Sequence, residues 1–248
     1  VRERGWALVT GSARRLGRVL ALAAAGAGYD VLVHHRDSAA DAAETADAVR
    51  RLGRVAEVVA FDLDRSDAPA RLFDAAPGPV TLLVNNASRF EDDRIDSLAV
   101  DTFDATIATN LRAPILLARA FALALPDGRE GLIVNIVDQR VWRLTPQFFS
   151  YTVSKSGLWC ATQTMAQALA PRIRVNAIGP GPTLANPYQA PEDFAAEAGA
   201  LLLGRPVDPA DIGHALRYLI DATSVTGQMI AVDGGQHLAW RTPDVLGD

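Results

Sequence analysis

Trp6-Ala7-Leu8-Val9-Thr10-Gly11-Ser12-Ala13-Arg14-Arg15-Leu16-Gly17 is the stretch from which the fold follows. A short apolar run stops at a glycine, and a segment rich in Ala and Leu begins at once. The run reads as a buried parallel strand. Gly11 permits a tight turn, and the residues after it open a helix whose first N–H groups have no partner within the helix. Strand, glycine turn and helix start together receive a dinucleotide pyrophosphate, and Gly17 lets the helix lie close to the sheet. The spacing is not G-x-G-x-x-G, so the general fingerprint is met only in part. A plain glycine turn is the competing reading.

The same alternation continues to the end of the chain. Residues 30–36, 55–61, 80–84, 131–137, 173–178 and 229–232 read as further strands. Between them, residues 38–52 form a helix with Ser38 as N-cap and Gly53 as stop. Further helices are expected over 67–76, 100–125, to about 170 after Tyr151, and 208–222. Pro114 inside the long helical stretch removes a backbone donor and frees a carbonyl. Residues 183–204 read as a looser segment. No linker or composition break divides the chain, so residues 1–248 are one α/β domain, a doubly wound parallel sheet with helices on both faces.

Ligands of such sheets bind outside the carboxyl ends of the strands. Gly11, Arg36, Asp62, Asn86, Asp138 and Gly181 all fall at such ends. At the exit of the second strand stand His35 and Arg36. An arginine there suits a ribose 2′-phosphate through forked, charge-assisted hydrogen bonds, which favours NADP over NAD. In the alternative, Arg36 is solvated and Asp37 faces a free ribose hydroxyl. Asp62, followed by Leu63, offers a carboxylate to an adenine amino group.

Tyr151-Thr152-Val153-Ser154-Lys155 places a phenol and an ammonium on one face of a helix. A phenol ordinarily loses its proton near pH ~10, and a fixed ammonium nearby is expected to lower that value. Asp138 lies thirteen residues before Tyr151. Its competing reading is a surface ion pair with Arg140 or Arg143.

The totals narrow the classes of function. A net charge of −5 excludes nucleic acid as the main partner. No continuous apolar segment approaches ~18 residues, so no membrane span is expected. Cys160 is the single cysteine, which excludes an intrachain disulfide and fits a reducing compartment. His34, His35, His214 and His237 have no metal-ligand spacing with Cys160 or with one another, so no metal is expected. His34 reads as packed at a strand end.

With these residues in view, the chain resembles the short-chain dehydrogenase/reductase family over nearly its whole length. The resemblance rests on Thr10-Gly11 with Gly17, Asp62, Asn85-Asn86-Ala87, Asn110, Tyr151 with Lys155, and Pro180-Gly181, in that order. Within the family it is most similar to the pteridine reductases and the bacterial dihydromonapterin and dihydrofolate reductases. Arg15, Phe90 in Asn-Asn-Ala-Ser-Arg-Phe, and Asp138 in place of the family's usual serine carry this closer match.

The resemblance implies a single-domain Rossmann-type enzyme that uses NADPH to reduce a pterin-type small molecule. Tyr151, Lys155, Asp138 and Asn110 would be catalytic, with Asn110 holding a water that relays protons to Lys155. Gly11, Arg14, Arg15, Leu16, Gly17, His35, Arg36, Asp62, Leu63, Asn86, Ala87, Tyr151, Lys155, Pro180, Gly181 and Thr183 would hold the cofactor. Arg15, Ser88, Phe90, Asp138 and Tyr151 would hold the substrate, with residues 183–204 as the substrate loop. It also implies a cytoplasmic homotetramer, or else a dimer, with the long helices packed around Leu111 and Leu158. A carbonyl, sugar or ketoacyl reductase is the alternative function, and a cofactor-binding regulator without catalysis is the third.

Overall fold

The computed structural model describes residues 4–185 and 189–240; residues 1–3, 186–188 and 241–248 of the expected 1–248 domain lie outside the described residues. Seven strands, β1 (Trp6–Val9), β2 (Asp30–His35), β3 (Ala56–Ala60), β4 (Val80–Asn85), β5 (Gly131–Ile136), β6 (Ile173–Pro180) and β7 (Met229–Val232), form one sheet in the order β3-β2-β1-β4-β5-β6-β7. Every neighbouring pair is parallel. The helices are α1 (Arg15–Gly26), α2 (Ala39–Arg51), α3 (Ala68–Asp74), α4 (Val100–Ile107), α5 (Ala113–Ala124), α6 (Phe149–Leu169), α7 (Pro191–Gly199) and α8 (Pro209–Asp221).

Strands buried on both faces need a helical layer on each side. One apolar layer joins Leu20, Ala24, Val49, Ile212 and Leu216 of α1, α2 and α8 to the sheet. The other joins Leu72, Leu117, Phe121 and Ala166 of α3, α5 and α6 to the opposite face. The run Val100–Ala124 is long and apolar enough to cross a membrane by length and composition. Here Leu117 and Phe121, both fully buried, turn its apolar side to the sheet.

Two segments depart from expectation. Residues 100–125 are not one regular helix, because a π-helical turn, Ala108–Arg112, separates α4 from α5. There the N–H of Ala113 reaches back five residues to the carbonyl of Ala108. Pro114, just beyond, lacks the N–H that the carbonyl of Asn110 would meet in an α-helix. The expected loose segment 183–204 carries α7, with Pro191 at its start and Glu192 and Asp193 in its first turn. Proline is preset for that position and acidic groups favour a helix N-terminus, so they outweigh the loop-like composition.

The chain passes from β1 to β2 and β3 on one side and returns to β4 on the other. A crevice therefore opens above β1 and β4, at the reversal of strand order.

Candidate active site

The glycine turn is built from its own backbone. Gly11 has φ +61°, and a side chain on Gly17 would meet the carbonyl of Gly11 at 2.1 Å. Helix α1 has no side-chain cap and no acidic residue in its first turn, so its leading N–H groups stand ready for an anion. Thr10 ties this turn to the end of β4, its hydroxyl accepting from Asn86 N (2.9 Å) and Ala87 N (3.0 Å). Asn86 returns the contact through Nδ2 to the carbonyls of Thr10 and Gly11. His34 supports the turn from below. Its Nδ1 accepts the N–H of Gly11 at 3.0 Å, and its Nε2 lies 3.0 Å from the carbonyl of Phe61. Burial lowers its pKa to about 4.

A cavity of about 540 Å³ runs from this turn across the ends of β4, β5 and β6. It gathers Arg15, Leu16, Asn86, Ser88, Phe90, Asp138, Tyr151, Lys155, Pro180, Gly181 and Thr183. Asp138 is no surface ion pair. Its Oδ1 accepts the backbone N–H of Arg140 at 2.8 Å, and its Oδ2 accepts the phenol of Tyr151 at 2.9 Å. Burial raises the pKa of this carboxyl, against the pull of the Arg140 N–H. Lys155 is buried and donates from Nζ to the carbonyl of Ile136 at 2.7 Å. That leaves two of its three N–H groups for other partners. Burial brings its pKa down from 10.5 to about 8.

The expected lowering of the phenol is reversed in this arrangement. Burial, and then the charge of Asp138, push Tyr151 well above its ordinary value of 10. The lysine sits 5.5 Å from the ring centroid, while the carboxylate sits on the oxygen. Asp138 thus holds a proton more tightly than a free carboxyl, which moves it toward the range of a proton donor, while the same contact makes the Tyr151 phenol a weaker acid for as long as Asp138 is charged.

The Asn110 side chain is fully engaged. Its Oδ1 accepts from Arg89 N (2.8 Å) and Ser88 Oγ (3.2 Å), and its Nδ2 donates to Arg89 O (2.9 Å) and Ser154 Oγ (3.1 Å). All four hydrogen-bonding positions of the amide are taken. The side chain clamps the Ser88–Phe90 loop and has nothing left for a relay water, and Pro114 has no N–H to offer the Asn110 carbonyl. Arg89 fastens the same loop to Asp64 (3.1 Å), which also accepts from Thr109 (2.6 Å).

Phe90 does not stand alone over the cavity. It stacks on Phe148 at 4.4 Å and meets the Tyr151 ring edge-on at 4.7 Å. Phe148 holds a left-handed backbone, φ +54°, rare for an aromatic residue. Asp93, nearly buried, secures the turn. It accepts from Ser150 N at 3.0 Å and from the Ser150 hydroxyl, and its carbonyl accepts from Phe149 N. Phe148, Asp93 and Gln139 were not singled out from sequence, and Arg140 was named there only as an ion-pair partner of Asp138. The adjacent Phe148-Phe149 pair, one turn before Tyr151, was the only local signal for any of them.

Several expected contacts lie apart from the cavity. Arg14 faces Asp41 at 3.8 Å, and Arg36 donates to Asp37 at 2.7 Å. Asp62 accepts from Asp64 N, Leu63 is buried, and His35 is buried with Nδ1 unpartnered. These residues sit at the ends of β2 and β3 and at the start of α1. Thr183 spends its hydroxyl on the carbonyl of Gly181. Arg15, with φ +52°, donates to the carbonyls of Leu184 (3.3 Å) and Ala185 (2.9 Å) and so joins the glycine turn to the segment after β6.

Known proteins are similar to this chain over nearly its whole length. A family model described as enoyl-(acyl carrier protein) reductase matches residues 11–237. The crystal structure of FolM alternative dihydrofolate reductase 1 from Brucella canis, complexed with NADP, is 46% identical, with a TM-score of 0.93 and 98% of each chain covered. A 3-oxoacyl-[acyl-carrier-protein] reductase FabG of Aggregatibacter actinomycetemcomitans is 33% identical over 92% of this chain and 97% of its own. A 3beta-hydroxysteroid dehydrogenase 1 of Eggerthella lenta is 32% identical over 93% of each.

Proposed function

The chain belongs to the short-chain dehydrogenase/reductase family, and from that premise we propose that it is an NADPH-dependent reductase of pterin-type substrates. The observation that carries this reading is the Asp138 carboxyl hydrogen-bonded to the Tyr151 phenol beside the Phe90–Phe148 stack. A carbonyl oxygen asks only for a donor. A pterin ring presents a basic nitrogen and an amino group, which a carboxyl answers, and a flat face, which an aromatic ring covers.

The residues fit a dinucleotide. The uncapped start of α1 would receive its phosphates, and Lys155, with two N–H groups beyond the one given to Ile136, would hold its nicotinamide ribose. Arg36 answers a 2′-phosphate once it lets go of Asp37, an exposed ion pair worth about 0–1 kcal/mol. The solved relative that holds NADP supports the same choice of cofactor. When bound, NADPH supplies the hydride. Tyr151 would give its proton to the reduced centre, a protonated Asp138 would return one to the phenol oxygen and be reprotonated from water, and the charge of Lys155 would favour the transient phenolate. We place the enzyme in the cytoplasm as a homotetramer; the free, exposed Cys160 suits a reducing compartment.

Rates with NADPH on dihydropterins and on a ketone panel test the reading. Asp138→Ser is expected to lower dihydropterin reduction ~10-fold or more with NADPH binding intact. Tyr151→Phe is expected to cost ~10²–10⁴ in rate. Unaltered pterin turnover in the Ser variant, or faster reduction of ketones by the parent, returns the protein to the carbonyl reductases, a reading that the ketoacyl and hydroxysteroid relatives favour.

A further inference from the structure

We propose that Arg140 forms a carboxylate subsite on the outer wall of the cavity, so that the preferred substrate is a pterin with an aryl linker and an anionic tail, as in a dihydrofolate. The inference rests on the pterin reading and adds to it which end of the substrate sets affinity. A row of groups leads away from the reacting centre. The Tyr151 ring meets Phe90 at 4.7 Å, Phe90 stacks on Phe148 at 4.4 Å, and the Arg140 guanidinium lies 5.0 Å from the Phe148 centroid. Phe90, Phe148, Tyr151 and Arg140 all line the same cavity. A flat ring system followed by an aryl group finds aromatic surface along this row and a cation at its end.

Arg140 has no direct ion pair, and the carboxylate that feels its charge, Asp138, is bound to its backbone N–H and not to its guanidinium. Its Nη1 donates to Thr145 Oγ1 at 2.6 Å and to the carbonyl of Gln147 at 3.5 Å, while its buried Nε has no partner. Among the described residues no carboxylate lies within ion-pair distance of it, whereas the partly buried Arg4, Arg54 and Arg89 each have one. A half-buried guanidinium on the cavity wall with hydrogen-bonding capacity unused is an incomplete site, and a carboxylate entering the cavity adds a charge-assisted contact to it.

The opposite rim discourages the same tail. Glu197 lines the cavity and is held by Gln189 Nε2 at 2.9 Å and Gln236 Nε2 at 3.2 Å. A fixed carboxylate there repels an anion and leaves the Arg140 side as its path.

The experiment compares Arg140→Gln and Arg140→Lys with the parent on two substrates, dihydrofolate and a dihydropterin with a neutral side chain. In Arg140→Gln the kcat/KM for dihydrofolate is expected to fall about tenfold further than that for the neutral dihydropterin, which reads any effect of losing the charge beside Asp138 and Tyr151. Arg140→Lys restores part of the loss, and added salt raises the parent's KM for dihydrofolate alone. Equal changes for the two substrates, or none, overturn the subsite. Equilibrium titration of folate and of a neutral pterin into the NADP complex reads the same contrast without turnover. A parent that reduces neither compound sinks the pterin reading, and the titration still decides on Arg140, since equal folate binding by parent and Gln variant overturns it.

Discussion

His34 shows how one residue constrains a site without touching its chemistry. Gly11 N–H donates to Nδ1, so the proton must sit on Nε2, where it meets the Phe61 carbonyl. Only the neutral ring satisfies both contacts, and burial holds its pKa at about 4 against 6.5 for a free histidine. The sign follows from linkage: between pH 6.5 and 4 the unfolded chain binds a proton that the folded chain refuses. This contribution to stability is complete above pH 6.5 and is lost as the pH falls toward 4. About 2 kcal/mol is expected to be gone by pH 5 and about 3 kcal/mol by pH 4. Melting curves of the parent and His34→Gln across this range check it. The variant is less stable at pH 7 but loses less on acidification; parallel curves would falsify the assignment. The sequence placed this histidine at a strand end, but the partner carbonyl is that of Phe61, just past β3 and 27 residues away. No local pattern points to such a contact.

At the scale of elements, the strands and most helices were legible because period and punctuation agree. Apolar runs end at glycine or asparagine, and Ala- and Leu-rich segments follow. What the sequence hid are places where one element is fixed by another. The π turn needs both Pro114 and the packing of Leu111 against Gly157. Asp93 is the sharpest case, since a loop aspartate reads as solvated and here is nearly buried on the first N–H groups of α6. The contact joins the loop that carries Phe90 to the helix that carries Tyr151. Asp93→Ala removes a charged hydrogen-bond acceptor from a helix start and is expected to cost about 1–3 kcal/mol. Pterin KM is expected to rise several-fold, with NADPH affinity unchanged, and Asp93→Asn to restore part of both losses. Calorimetry and steady-state kinetics check this. Full stability with full pterin affinity in the Ala variant would show that the contact positions nothing.

At the scale of the whole molecule, convergence of polar residues on one rim of the sheet was the legible feature, and the cavity lies on that rim. Assembly was read less well. Leu158, expected at a subunit interface, is buried within the chain, and Leu111 packs on Gly157 of the same chain. The helix pattern gives a second apolar face its residues but not its direction, and here one of the two faces is used up inside the domain. Val100 on α4, Ile115 and Leu123 on α5 and Val153 on α6 remain exposed, Leu123 by 72%. Together these side chains offer an apolar surface of the kind that a two-fold contact buries, at roughly 800 Å² per partner. A tetramer of four 26.4 kDa chains is the expected species at micromolar concentration, with a dimer second. A charge at Leu123 opposes burial at its two-fold mate as well, so Leu123→Glu is expected to lower the mass seen by light scattering while leaving the melting transition of the single chain in place. A parent protein of single-chain mass would rule out both assemblies, and a Leu123→Glu variant of unchanged mass would move the interface to another face.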